Sequence, residues 1–154
     1  MDDQANGLYR AERSTAAFTM RPLETPGEAH RLVNGYRTTS WWNARYKTKH
    51  TLGIIFTEEW ETKGYDAAFH YPTVDQWQAG WGGHIDMTPN GRTLGILLHE
   101  LAHFVTYTEC DELHQEHGWQ FVRNYTHLVW CVMGKVRAEE LAHAFKNNGV
   151  SCKP

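Results

Sequence analysis

The chain has 154 residues, enough for one hydrophobic core; 41% are apolar, 21% are charged and the formal charge is −3. Seven Trp, seven Tyr and six Phe provide core-forming bulk and exclude a globally disordered chain. Fifteen Lys and Arg against 18 Asp and Glu, with a pI near 6.3, give no support for a nucleic-acid surface, which is usually strongly basic.

The amino-terminal 20 residues read as a polar start and a short helix, with Leu8, Tyr9, Ala16, Ala17 and Phe18 as its buried positions. After Pro22 and Pro26, Leu32, Val33 and Tyr36 recur at helical spacing over Glu28 to Tyr36. Ser40 is placed to cap a further turn carrying Trp41 and Trp42, a pair read as core. Leu52 to Phe56 and Ala67 to Tyr71 have the apolar, partly β-branched character of strands, and Gly80-Trp81-Gly82-Gly83 reads as a loop by composition. From His84 to Met87 the pattern alternates, with Ile85 and Met87 on one face and His84 and Asp86 on the other. This suits a half-buried strand close to a sheet edge, stopped by Pro89-Asn90-Gly91. Helices are predicted over Thr93 to Thr108, Glu116 to Met133 (ended near Gly134) and Ala138 to Lys146. With strands in the middle and helices around them, the fold class is α+β, one domain over residues 1–154.

Cys110, Cys131 and Cys152 include no C-x-x-C pair, so neither a disulfide framework nor a zinc ribbon is indicated. Reduced thiols, no secretory signal at the amino terminus and no apolar run near the roughly 18 residues that span a bilayer lead to the expectation of a cytoplasmic protein without membrane attachment.

Composition leaves ten histidines unexplained. Two of them stand in His99-Glu100-Leu101-Ala102-His103, an H-E-x-x-H string inside the helix beginning at Thr93. On that helix Leu94, Leu97, Leu98, Leu101, Phe104 and Val105 share one arc, and His99, His103 and Thr106 lie opposite, with Gly95 beside them. Imidazoles four residues apart are separated by about 6 Å of rise, so both can reach one Zn²⁺ at about 2.0–2.1 Å. Glu100 flanks such an ion without ligating it and is free to act as general base toward water.

A catalytic zinc needs a third protein ligand and an open position. The metzincin continuation would place Gly at 106 and a ligand at 109; Thr106 and Glu109 stand there, which disfavours that class and leaves Glu109 a weak candidate. In the following helix His117, Phe121, Tyr125, Leu128 and Val132 form one inward stripe, which favours His117 over Glu116. His114, in the connecting loop, is the alternative third ligand.

His117 opens His117-Gly118-Trp119-Gln120-Phe121. H-E-x-x-H followed by H-G-x-x-F resembles the SprT-like metallopeptidase domain, a minimal zincin core. The string Gly95-x-x-Leu98-x-His99-Glu100-Leu101-Ala102-His103 is also similar to small HExxH metallohydrolases of actinobacteria and their phages. The resemblance covers residues 95 to 121. It implies N-terminal helices, a small central sheet and an HExxH helix followed by a second ligand-bearing helix. It also implies Zn²⁺ held by His99, His103 and His117, Glu100 as general base and a polypeptide substrate. The zinc ribbon or basic segments that accompany action on DNA-bound proteins are missing from this sequence, so that activity does not carry over.

Other candidates have simpler readings beside the functional one. His84 and Asp86 could flank an extended substrate or form a polar edge. Tyr107, Arg123 and Tyr125 could polarise a scissile carbonyl, though Tyr125 lies on the core stripe. Asp111 or Glu112 could orient a zinc histidine. His30, His50, His70, His127 and His143 read as surface or structural. The expectation is therefore a zinc metallopeptidase. Its rivals are a zinc-holding interaction domain without catalysis, stabilised by its metal, and a hydrolase of non-peptide amides.

Overall fold

The computed structural model describes residues 3–15, 21–58, 65–109 and 117–153. In chain order it contains α1 (Asp3–Arg13), α2 (Pro26–Arg37), α3 (Ser40–Arg45), β1 (Thr51–Phe56), β2 (Ala67–His70), α4 (Val74–Gln78), β3 (Trp81–Met87), a 3₁₀ turn at Pro89–Gly91, α5 (Leu94–Glu109), α6 (Trp119–Met133) and α7 (Lys135–Asn147). The α+β class holds. No helix among the described residues is long and apolar enough to cross a membrane.

Local chemistry sets most of these boundaries. Thr25 caps α2 by accepting from the Glu28 N–H, and Pro26 occupies the first turn, where its missing N–H costs nothing. Thr39, one residue before the predicted Ser40, caps α3 through the Trp42 N–H. The hydroxyl of Thr93 accepts from the Ile96 N–H at the start of α5. Gly134, at φ 92°, ends α6 and starts α7, which begins three residues before the predicted Ala138. α4 was not expected from the sequence; its sign is the Thr73/Gln76 capping box, with both reciprocal hydrogen bonds formed.

The sheet has the order β1-β3-β2, with β1 parallel and β2 antiparallel to β3. This corrects two expectations. β3 is the central strand, not one near an edge, and it starts at Trp81, inside the stretch read as a loop. Gly83 explains the second error: it sits at φ 101° with the His70 carbonyl and the Phe69 ring against the position a Cβ would take, so glycine here serves tight strand packing and not a turn.

Ile54, Phe69, Ile85 and Met87 pack with Leu97, Leu98, Leu101, Phe104 and Val105 of α5 in the core. The side chain of Phe104 alone removes enough apolar surface from water to contribute about 1.5–3 kcal/mol. Every residue from Leu94 to Val105 is buried, so the histidine side of α5 does not face solvent as an amphipathic surface helix would. α6 covers α5, α7 lies on α6, and α1 closes against α7. Leu8 is buried in α1 as expected, but Tyr9 is 40% exposed; Ala16, Ala17 and Phe18 lie outside the described residues. Trp42 is fully buried and Trp41 packs partly buried beside it, as the core reading anticipated.

Candidate metal centre

The H-E-x-x-H spacing places His99 and His103 one turn apart on α5, with ring centroids 5.1 Å apart. His117 meets them from the turn just before α6, its ring 5.4 Å from His99 and 4.8 Å from His103. It is therefore not within the second helix, as the stripe suggested. Gly118 is the extended N-cap residue, and the helix starts at Trp119. One ring nitrogen from each histidine lies within 4.8 Å of the others, all three residues are buried, and among the described residues no fourth His, Cys, Asp or Glu joins this group.

Phe121, in the first turn of α6, sets the floor, with its ring 5.0, 4.4 and 5.0 Å from those of His99, His103 and His117. α1 supplies the other wall. Glu12, wholly buried, places Oε1 2.5 Å from His99 Nδ1, and Gln4 Nε2 donates to the His117 carbonyl at 2.6 Å. Tyr9 stacks on His99 at 5.8 Å and meets His117 edge-on at 5.6 Å, with part of its ring at the surface. A carboxylate on one imidazole nitrogen fixes the ring and directs the other nitrogen toward a shared ion, the usual outer support of a metal-binding histidine.

Electrostatics in the metal-free chain follow from this burial. Burial alone would lower the His99 pKa, but Glu12 and then Glu100 outweigh it and raise it to about 9. Burial holds His103 well below its ordinary value, reinforced by positive charge on His99 and His117, so His103 presents a neutral imidazole with a lone pair to give. Glu100 is raised to about 7 by burial, against the lowering effect of His99; Glu12 pushes it further up, and the backbone N–H of Phe69 in β2, which donates to it, pulls it down. Glu100 Oε1 stands 3.9 Å from His99 Nε2, beside the three donors and outside their group. A carboxylate poised near neutrality next to a cation site is the condition a general base requires.

Three imidazoles, one tied to a buried carboxylate and one held neutral, fit a divalent ion of borderline softness and fall one donor short of zinc's usual four. This group could bind a metal ion.

The remaining sequence candidates divide cleanly. Glu109 accepts from Asn124 Nδ2 at 2.8 Å and lies 3.7 Å from Arg123, away from the three histidines. Arg123 is half exposed over the Trp119 ring, and Tyr107 packs on Tyr71 and Trp77. Tyr125 lies 5.5 Å from His99, but its hydroxyl is buried and donates to the Gly95 carbonyl at 3.4 Å. Asp111, Glu112, His114 and Glu116 lie outside the described residues. His127 pairs with the Tyr46 hydroxyl, His30 accepts from the Ile54 N–H and His50 stacks on Trp77, all structural roles. His70 departs from that reading: it lies against His84 and Asp86.

Sequence reasoning missed Glu12, which sits 87 positions before its histidine and carries no local motif. No protein-family model, no curated protein and no solved structure matches the chain.

Proposed function

We propose that this protein is a zinc-dependent metallohydrolase of the HExxH class, a peptidase on a minimal zincin core of the SprT-like kind. The observation that supports it most is the convergence of His99, His103 and His117 with Glu100 beside them and Glu12 behind His99. Zinc bound there supplies Lewis acidity toward the scissile carbonyl and makes water a stronger acid. His103 contributes a neutral lone pair, His117 completes the donor set, and Glu12 pairs with the proton His99 retains on Nδ1. Glu100, aimed by the Phe69 N–H, takes the proton of the attacking water and returns it to the leaving amine. The polypeptide substrate approaches past Tyr9, the partly exposed ring over the three histidines.

The deciding measurement is cleavage of a denatured protein substrate by zinc-loaded wild type and Glu100→Gln. The expected outcome is hydrolysis by the former, a loss of about 10²–10⁴-fold in the latter, and equal zinc content in both. Equal turnover by the two proteins overturns the assignment of Glu100. The second reading, a zinc-holding interaction domain, draws on the burial of all three imidazoles and of Glu100. Under it wild type retains zinc and cleaves nothing.

A further inference from the structure

A second group of metal-ligating side chains occurs on the sheet. β2 and β3 are antiparallel with His70 opposite His84 and Ala68 opposite Asp86, so His70, His84 and Asp86 share one face. That face is the one turned away from Ile85 and Met87, whose side chains enter the core. The three donors lie within 4.8 Å of one another. His70 Nε2 is 2.9 Å from Asp86 Oδ2, and His84 Nε2 is 3.6 Å from Asp86 Oδ1. Donors about 2.0–2.1 Å from one ion are separated by about 3 Å at right angles and about 3.4 Å at the tetrahedral angle; the His70–Asp86 spacing falls in that range, and the His84–Asp86 spacing, to the other carboxylate oxygen, lies just beyond it.

The hydrogen bonding does not account for the cluster. Asp86 is only 8% exposed, yet among the described residues neither its Oδ1 nor His70 Nε2 has a hydrogen-bond partner, the latter despite the carboxylate oxygen Oδ2 at 2.9 Å. Buried polar atoms are nearly always paired, and two orphans within one His-His-Asp group are what an ion would satisfy. The two imidazoles stack at 4.5 Å and 11°, an arrangement that two protonated rings would oppose and two neutral ligands tolerate. Burial lowers the His84 pKa and so favours its neutral form, with Asp86 acting against burial and His70 with it. The His70 and His84 side chains are 40% and 37% exposed, which gives an ion direct access from solution.

We propose that His70, His84 and Asp86 form a second site for a divalent ion of the zinc type, independent of the centre on α5 and clamping β2 to β3. The proposal does not depend on the chain being a peptidase.

The test is titration of metal-free protein with zinc in competition with a chromophoric chelator. Wild type should take up two equivalents. His84→Ala and Asp86→Asn should take up one, and His103→Ala should keep the equivalent that those two lose. His70→Ala and His84→Ala alter partly exposed positions and serve as the decisive pair if the buried Asp86 variant does not fold, with circular dichroism as the check. The proposal is overturned if His70→Ala and His84→Ala both take up as much zinc as wild type, whether wild type saturates at one equivalent or at two. Loss of peptidase activity with two equivalents retained would bear on the function proposed for the α5 centre and leave this site standing.

Discussion

The two histidine clusters of this molecule follow opposite designs. The centre on α5 is buried, draws two of its three imidazoles from one helical turn and is braced by a carboxylate from a distant helix. The His70, His84 and Asp86 cluster is half open, lies across two strands and uses its carboxylate as a member of the group itself. Burial makes the difference in chemistry: inside, the medium moves Glu100 to about 7 and holds His103 neutral, whereas on the sheet the partly exposed His70 and His84 let solvent weaken their interactions with Asp86. On the roles proposed above, the inner cluster activates water and the outer one holds strands together.

The contrast can be broken most severely at the inner donors. Under the proposed function, replacing His103 or His117 with Ala should remove zinc from the buried site and reduce peptide hydrolysis to background, measured by elemental analysis and turnover; a fully active, zinc-loaded His117→Ala protein would transfer the ligand role elsewhere. Next in size is the support behind His99. Glu12→Gln should weaken zinc binding at the inner site by about 10–100-fold, read by chelator competition, and no weakening would reduce Glu12 to a packing residue.

Proton linkage gives a further comparison. His99 is raised to about 9 in the metal-free chain, above its ordinary 6.5, so the stabilisation from its pairing with Glu12 is complete below pH 6.5 and lost as pH climbs through 9. Denaturant unfolding in chelator should show lower stability at pH 9 than at pH 7, and Glu12→Gln should flatten that slope. Zinc binding near neutrality must displace the same proton, which calorimetry in buffers of different ionisation enthalpy will count. The smallest effect belongs to the outer cluster: in chelator, His84→Ala should change stability by less than about 1 kcal/mol, since partly exposed ion pairs contribute little. In zinc the same variant should lose part of the metal-induced rise in Tm.

Legibility in the sequence follows the same division. His99 and His103 could be read because the helix repeat converts a four-residue spacing into proximity. His117 was found through its H-G-x-x-F setting, although the stripe placed it inside a helix that Gly118 in fact caps. The faces of β3 were readable from alternation, but its central position was not, since strand order depends on pairings far apart in the chain. For the same reason His70 looked solitary: its partner His84 is fourteen positions away, and only the antiparallel register of β2 and β3 makes them neighbours. Glycines at 82 and 83 suggested a loop because composition cannot distinguish a flexible loop from a strand with no room for side chains.

α1 reaches the inner centre at three points, through Gln4, Tyr9 and Glu12, and is held from behind by α7. At the contact between them Gly7 leaves no space: a methyl group there would stand 2.6 Å from the Asn148 carbonyl oxygen and 3.1 Å from Val150. Adding that one carbon would lever the helix outward and withdraw the carboxylate five residues further on. The proposed cation site thus leans on residues 148 and 150, and an alteration at either should be felt at an imidazole it never touches.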